Sequence, residues 1–281
     1  MSAVRVTPPR RPILRYHGGK WRLAPWIISH LPPHRIYVEP YGGAASVLLR
    51  KPRAYAEVYN DIDGELVNLF RVARERGEEL VRALRITPYA REEFRLAHEA
   101  SDDPLEQARR TVVRSYMGFG SNAVHRPSGF RASSNRSGTT PATDWCNYPD
   151  ALEGIIDRLR GVTIEHRDAV EVLRAQDGPD GVLHYVDPPY VAASRNEGRD
   201  YRFEMSDAEH EALAGVLHEL RGAVVLSGYA SDLYDRLYGD WARVTCESLA
   251  DGARARTECL WLSPAALRQA DMFSQHGRGA S

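Results

Sequence analysis

The stretch Val182-Leu183-His184-Tyr185-Val186-Asp187-Pro188-Pro189-Tyr190 indicates the fold class of this chain. Its first five residues form an apolar, β-rich run that predicts a buried strand. Two consecutive prolines have no N–H groups for a β-ladder, so the strand has to end at Asp187. Because open α/β sheets bind ligands at the carboxyl ends of their strands, we expect a site at Asp187 and Tyr190.

An acid, a rigid diproline and an aromatic ring suit the binding of a planar amine. Asp187 would accept one N–H of the amine, the backbone carbonyl of Pro188 would accept the other, and Tyr190 would stack on the ring. The diproline fixes φ, so both acceptors are held in place before the amine arrives. The alternative for these four residues is a turn that merely follows a strand.

Two earlier strands with small-residue turns predict a nucleotide-binding α/β sheet. A short strand at 35–40 leads into Tyr41-Gly42-Gly43-Ala44-Ala45, where small side chains let a cofactor approach the backbone, and a helix starts at Ser46. A second strand at 55–59 ends at Asn60-Asp61-Ile62-Asp63. Asp61 lies eighteen residues after Gly43, close to the spacing at which an acid binds ribose hydroxyls.

Two other acids near strand ends have a simpler role. Asp63 is expected to be the N-cap of the helix through Val67 and Phe70. Asp168, after the strand at 162–165, is expected first as an N-cap, with a second contact to the cofactor left open because it also follows a strand. The residues Gly18-Gly19-Lys20 come before a helix at 21–31, and their backbone N–H groups and the lysine are suited to binding a ligand. From these residues alone, an ordinary turn at the start of the helix is the preferred interpretation.

Basic residues are concentrated in two segments of the chain. Residues 1–38 contain seven Lys/Arg and no acid, and residues 107–143 contain six Arg and no acid. Since the net charge is −1, the rest of the chain carries a net charge of about −14. This segregation predicts a polyanion-binding surface, with flexible basic loops as the alternative.

The second basic segment belongs to a predicted insertion at 87–150. Helical stretches at 91–100 and 105–113 precede a long loop rich in Gly, Ser, Arg and Asn, which should be functional because compact domains rarely contain such loops otherwise. Its Arg and Asn side chains are types that read base edges and phosphates. We select Asn122, Arg126, Arg131 and Arg136 as candidate DNA contacts. Tyr116, Phe119 and Phe130 favour packing over a disordered linker.

The composition excludes several other classes of protein. With 43% hydrophobic and 27% charged residues, the chain has the composition of a typical globular protein. No apolar run is long enough to span a bilayer, and no secretory signal is expected. Cys146, Cys246 and Cys259 show neither a disulfide framework nor a zinc-site spacing, which fits a reducing cytoplasm, and no metal is predicted.

Four motifs together resemble the Dam-type (D12 class) site-specific DNA adenine N6-methyltransferases. They occur in the family's order, from about Arg15 to Leu262: Tyr16-His17-Gly18-Gly19-Lys20, Val38-Glu39-Pro40-Tyr41-Gly42-Gly43-Ala44, Asn60-Asp61-Ile62-Asp63 and Asp187-Pro188-Pro189-Tyr190. Two positions depart from the family pattern. Tyr16 stands where the family often has Trp, and Ala45 replaces the second loop glycine, which could weaken cofactor binding modestly.

The resemblance implies an α/β, Rossmann-like methyltransferase sheet that uses S-adenosyl-L-methionine as its cofactor. The methyl group would go to the N6 amine of a flipped-out adenine in double-stranded DNA. The catalytic residues would be Asp187, Pro188 and Tyr190. The cofactor-binding residues would be Tyr16, Lys20, Gly43, Asp61, Asp168 and Asp187.

We expect a catalytic domain in two parts, residues 1–86 and 151–270. Between these parts lies a small, helical, loop-rich recognition insertion at 87–150. A frayed tail is expected at 271–281. A cytoplasmic monomer is expected, and a restriction endonuclease partner is left open. The alternatives are a methyltransferase acting on RNA adenine or cytosine N4, and a DNA-binding module without catalysis. The aspartate at position 187 favours adenine, since cytosine N4 enzymes more often have Ser there.

Overall fold

The computed structural model describes residues 9–132, 139–179, 181–191, 202–249 and 255–276 of the 281-residue chain. The described strands are β1 (Ile36–Glu39), β2 (Ala56–Asn60), β3 (Val162–Glu165), β4 (Val182–Val186), β5 (Ala223–Tyr229), β6 (Ala242–Leu249) and β7 (Ala255–Leu262). The described helices are α1 (Ala24–Ser29), α2 (Ser46–Arg50), α3 (Gly64–Glu75), α4 (Gly77–Ile86), α5 (Arg91–Leu96), α6 (Pro104–Met117), α7 (Pro141–Cys146), α8 (Tyr148–Leu159), α9 (Ala169–Gln176), α10 (Asp207–Glu219), α11 (Asp232–Leu237) and α12 (Pro264–His276).

The described strands form one sheet in the order β3-β2-β1-β4-β5-β7-β6. Strand β1 pairs in parallel with β2 and β4, and β4 pairs in parallel with β5. Strand β7 is antiparallel to both β5 and β6. The predicted α/β sheet is therefore confirmed, and its β7-β6 edge is antiparallel.

Strand β4 lies between two parallel neighbours, and all five of its residues are buried. This explains its continuous apolar sequence, because a central parallel strand is covered on both faces. The strand order reverses between β1 and β4, where Val38 is paired with His184. Such a reversal opens a crevice at the carboxyl ends of the two strands. The Gly-rich turn after β1 and the diproline segment after β4 both begin there.

The chain divides into two compact units. The first, the sheet-containing unit, consists of residues 22–42, 51–62 and 165–281. The second, the helical unit, consists of residues 1–21, 43–50 and 63–164. In the first unit, helices α10 and α11 pack with β4, β5 and β7 around a core that includes Leu217, Leu226, Tyr234 and Trp261. Among these, Trp261 is one of the largest fully buried side chains. This core holds the carboxyl end of β4 in a fixed place.

The second unit is mainly helical. Helix α6 packs against α3, α4, α5 and α7, and α8 packs against α2, α3, α4 and α7. Stacked aromatic rings, Trp145 and Tyr148, join α7 to α8. The predicted insertion at 87–150 falls within this unit, and its boundaries stay a prediction.

Several helices begin at side-chain caps, and the predicted caps Asp63 and Asp168 are confirmed. Asp63 accepts from the backbone N–H of Glu65, and Asp168 accepts from the N–H groups of the first turn of α9. Ser206 and Glu209 form the capping box of α10. The expected frayed tail is wrong up to His276, because α12 continues through Asp271 to that residue. Residues 277–281 lie outside the described residues.

Burial of His184 predicts a specific dependence of stability on pH. The side chain is fully buried in β4, and burial lowers its pKa to about 4, although Asp177 lies 3.8 Å from Nε2. Between pH 6.5 and about pH 4, the imidazole of His184 is protonated in the unfolded chain and remains neutral in the folded chain. We therefore expect about 3 kcal/mol of unfolding free energy to be lost across this window as the pH falls.

The control for this prediction is His184→Leu, which keeps a similar volume and cannot titrate. Urea denaturation at pH 7, 6 and 5 should show a smaller loss of stability in the variant than in the wild type. An identical loss in both proteins would contradict the assignment of this titration to His184.

Candidate active site

Asn60 fixes the geometry of the strand ends in the sheet-containing unit. Its fully buried side-chain amide donates to the carbonyls of Pro40, at 2.9 Å, and Arg167, at 3.1 Å. Its Oδ1 accepts from the N–H of Arg167 at 2.9 Å, and its backbone carbonyl accepts from the N–H of Gly42 at 2.8 Å. One side chain therefore links the segments that follow β1, β2 and β3.

Asp61 and Asp168 each come directly after a residue of this hydrogen-bonded group, Asn60 and Arg167 respectively. Asp61 comes next after Asn60 and is partly exposed. Asp168 comes next after Arg167, and its Oδ1 accepts from the N–H groups of Val170 and Glu171 at 2.9 and 3.3 Å. The N-cap role of Asp168 is thus confirmed, and its contact with a cofactor stays a prediction.

Asp187 follows the last residue of β4 and is partly buried, with its Oδ1 shielded from solvent. The hydroxyl of Tyr185, two residues earlier, is fully buried. Burial raises the pKa of Tyr185 well above its usual value, and the nearby carboxylates of Asp187, Glu39 and Glu258 raise it further. Tyr185 therefore stays protonated and neutral beneath the diproline segment.

Tyr190 is held by a buried polar group. Its hydroxyl donates to the carboxylate of Glu258 and lies 3.4 Å from the hydroxyl of Ser227, which donates to the same carboxylate at 3.1 Å. Its ring meets that of Tyr229 edge-on, with centroids 4.5 Å apart. Because Glu258 is 2% exposed, the bond fixes the Tyr190 ring in a water-poor position.

In the helical unit, Tyr16 lies against the Gly-rich turn. Gly43 has a φ of +48°, and a Cβ there would approach a Tyr16 ring carbon to 3.2 Å. A side chain at position 43 would thus be both strained and crowded. Lys20 is buried, and its ammonium donates to the carbonyl of Gly18 at 2.7 Å. The structure therefore brings Tyr16 and Gly43 together, and their contact with a cofactor stays a prediction.

Ala45 has a φ of +51°, the one non-glycine residue in the described part of the chain with a positive φ. A left-handed conformation costs an L-residue about 1–2 kcal/mol. The turn thus keeps the backbone conformation that glycine would prefer. The side chain of Ala45 is fully buried, so its methyl group points away from solvent.

The predicted recognition loop is closed at its base by backbone pairing. Gly118 and Phe130 form an antiparallel bridge, and the N–H of Phe119 donates to the carbonyl of Gly129 at 2.9 Å. Buried Arg114 of α6 donates to the carbonyl of Val124 inside the loop at 3.1 Å. Residues 118–130, which this bridge closes, are referred to below as the 118–130 loop. Phe119 is 72% exposed, but Tyr116 is buried and the Phe130 ring lies 5.1 Å from that of Tyr89, so the expected packing holds for two of the three aromatic residues.

The four candidate DNA contacts differ in their surroundings. Asn122 and Arg126 lie in one turn of the 118–130 loop, where the N–H of Arg126 donates to the carbonyl of Asn122 at 3.1 Å, and Arg126 is exposed. Arg131 lies just beyond the loop, largely buried, with its guanidinium 3.6 Å from the carboxylate of Asp144. Arg136 lies outside the described residues.

Most arginines of the second basic segment have acidic partners within the protein. Hydrogen bonds from Arg109, and then from Arg110, lower the pKa of Glu106 to about 2. Arg114 pairs with Glu65. Segregation of charge along the sequence is therefore not segregation in space, and the charge count alone overstates the polyanion-binding surface.

Three residues that build the site were not singled out from the sequence: Glu258, Arg114 and His125. Glu258 immediately precedes the apolar run Cys259-Leu260-Trp261-Leu262, and an acid next to such a run was a usable signal. Arg114 and His125 gave no such signal, because their partners are distant in sequence.

Comparison with known families identifies the class of protein. Residues 16–251 match the model of the D12 class N6 adenine-specific DNA methyltransferases. The chain belongs to this family, as its motifs and their order predict. It is therefore an enzyme of the DNA adenine methyltransferase class, and membership implies S-adenosylmethionine as the methyl donor.

Individual relatives agree with this class. The chain is 28% identical to a DNA adenine methylase of Serratia marcescens over 241 residues, which cover 79% of this chain and 85% of the relative. It is 27% identical to the Type II methyltransferase M1.LlaDCHI of Lactococcus lactis subsp. cremoris over 252 residues, covering 82% and 85%. A DNA adenine methylase of Escherichia coli (strain K12) is 32% identical over 124 residues, covering 41% and 43%.

No helix in the described ranges is both long enough and apolar enough to cross a membrane. In the same ranges, no group of three or more His, Cys, Asp and Glu side chains is arranged to hold a metal ion.

Proposed function

We propose that this chain methylates the N6 amine of an adenine flipped out of duplex DNA, with Asp187 and the Pro188 carbonyl as the acceptors of that amine. The observation that supports this most is the position of the diproline segment. It follows buried strand β4 at the point where the strand order reverses, between β4 and its neighbour β1. This is the crevice where open α/β sheets bind their ligands.

The two acceptors address the main chemical difficulty of the reaction. Adenine N6 is a poor nucleophile because its lone pair is delocalised into the ring. Hydrogen bonds from the amine to the Asp187 carboxylate and the Pro188 carbonyl favour a pyramidal nitrogen. They also stabilise the positive charge that develops on it during attack. Asp187 directly precedes the rigid diproline, and the second acceptor is the carbonyl of its first proline. Both acceptors therefore need little reorganisation when the amine binds.

The target base has to leave the duplex before its amine can reach these acceptors, because stacked and paired bases shield it. We assign Tyr190 to replace part of the lost stacking. Its hydrogen bond to Glu258 and its edge-on contact with Tyr229 hold the ring in one orientation. A fixed ring loses little side-chain entropy when a base stacks on it.

The residues that the motifs assign to the cofactor suit an adenosine with a sulfonium group. S-adenosylmethionine supplies an activated methyl group when it is bound. In the helical unit, the absence of a side chain at Gly43 leaves the backbone accessible, and Tyr16 offers an aromatic ring beside it. Lys20 holds the preceding loop through Gly18. In the sheet-containing unit, Asp61 and Asp168 would accept from hydroxyls, and Asp187 would border the methionine moiety.

We propose double-stranded DNA as the partner, contacted by Asn122 and Arg126 of the 118–130 loop and by Arg136. Arg131 is retained as a candidate, although its pairing with Asp144 supports a role in holding the base of the loop. Since its substrate is DNA, we place the enzyme in the cytoplasm. We also propose that it acts as a monomer.

The test is transfer of labelled methyl groups from S-adenosylmethionine to three matched substrates. These are long unmethylated duplex DNA, the same sequence as duplex RNA, and single-stranded DNA. We expect label in duplex DNA. Label in RNA alone would overturn the proposed substrate. Absence of label in all three, with cofactor binding intact, would favour a binding module.

A further inference from the structure

His125 connects the 118–130 loop to Tyr16. Its Nε2 lies 3.2 Å from the Tyr16 hydroxyl, and the two rings meet edge-on with centroids 5.4 Å apart and planes 85° apart. The His125 side chain is only 6% exposed. A buried hydrogen bond with a defined ring geometry holds its partners more firmly than a solvated one.

Each end of this contact belongs to a different part of the proposed site. On one side, the Tyr16 ring lies against Gly43 of the Gly-rich turn, where a Cβ would approach a ring carbon to 3.2 Å. On the other side, His125 lies in the same turn as Asn122 and Arg126. The N–H groups of both His125 and Arg126 donate to the carbonyl of Asn122, at 3.2 and 3.1 Å.

A third group restricts how His125 can move. Its Nδ1 lies 3.5 Å from Oδ2 of Asp63. The other oxygen of Asp63 accepts from the N–H of Glu65 at 2.9 Å, as the N-cap of α3. Asp63 is 2% exposed and fixed to a helix end. The imidazole is therefore held between a rigid helix end and the Tyr16 hydroxyl.

We propose that His125 couples DNA binding at the Asn122–Arg126 turn to cofactor binding at Tyr16. When DNA contacts fix that turn, they fix His125 and, through the Nε2 contact, the orientation of Tyr16 beside Gly43. Cofactor binding orders the same ring and, by thermodynamic reciprocity, favours the DNA-bound turn. His125 is a positioning residue in this role, since it acts through Tyr16. This inference rests on the proposed function.

The experiment measures the dissociation constant of S-adenosylhomocysteine, which binds without turnover, in the absence and presence of saturating unmethylated duplex DNA. In the wild type we expect DNA to tighten binding by at least about fivefold, the lower end of usual coupling. His125→Leu and Tyr16→Phe should each bring this ratio close to one. His125→Gln, whose amide can occupy the place of Nε2, should keep most of it.

Two controls separate coupling from simple loss of structure. Tyr16→Phe retains the ring and removes only the hydroxyl, so it tests the contact even if His125→Leu folds poorly. Arg126→Ala should weaken DNA binding and leave S-adenosylhomocysteine affinity without DNA unchanged. A purely structural role for His125 predicts equal weakening with and without DNA, and an unchanged ratio.

An unchanged ratio in His125→Leu and Tyr16→Phe would overturn the inference and leave the proposed function standing, provided that methyl transfer to DNA is retained. A wild-type ratio of one would also overturn it. Absence of both cofactor binding and methyl transfer in the wild type would instead reject the proposed function, and the coupling with it.

Discussion

Asp187→Ala should reduce methyl transfer to duplex DNA by about 10²–10⁴-fold in a single-turnover assay. A charge-stabilising group of this kind contributes that much when the surrounding site is preorganised. Asp187 follows β4 with one carboxylate oxygen shielded from solvent, so its interaction with a developing positive charge is weakly screened. Binding of duplex DNA should change little, because this role lies in the chemical step.

Two further variants make this prediction sharper. Asp187→Asn keeps a carbonyl oxygen that can accept from the amine, and it should retain more activity than Asp187→Ala. Asp207→Ala removes an exposed carboxylate in the first turn of α10 and should transfer methyl groups at the wild-type rate. If Asp187→Ala transferred at the rate of Asp207→Ala, the proposed role of the diproline segment would be wrong.

Gly42→Ala should lower the unfolding free energy by about 1–3 kcal/mol or more, the usual cost of overpacking a buried site. A Cβ at this position would lie 2.1 and 2.5 Å from two ring carbons of Tyr59 and 2.9 Å from the carbonyl oxygen of Asn60. The ring and the backbone would both have to move. Since Asn60 also holds the segments before Asp61 and Asp168, we expect cofactor affinity to fall as well.

The matched control is Gly215→Ala, within α10, where a Cβ would meet no atom within 4 Å. Alanine in a helix interior is favoured over glycine by about 0.8–1 kcal/mol, so this variant should be more stable than the wild type. Urea denaturation and equilibrium binding of S-adenosylmethionine measure both effects. Equal stability of the Gly42→Ala variant and the wild type would contradict the packing described around Tyr59.

Local sequence signals predicted much of the fold. The run Val182–Val186 is the buried central strand, and the caps at Asp63 and Asp168 occur where the sequence places them. These features depend on neighbouring residues, through a continuous apolar run in the strand and capping of the first turn in the helices. The family was likewise recognisable because its four motifs are each contiguous in sequence.

Partners distant in sequence were not predictable in the same way. Glu258 meets Tyr190 across 68 residues, and Arg114 meets Glu65 across 49. Such pairs are set by the packing of whole elements, on which local patterns carry no information. The arginines of the second basic segment illustrate the consequence, because a charge count along the sequence does not show which cations are already paired.

Identification of the methylated nucleoside would decide the central proposal. Duplex DNA is incubated with the enzyme and methyl-labelled S-adenosylmethionine, digested to nucleosides, and analysed by chromatography with mass detection. We predict N6-methyladenine as the labelled product in the wild-type reaction and its loss with Asp187→Ala. Labelled N4-methylcytosine, or DNA without any methylated nucleoside despite bound cofactor, would contradict the proposal.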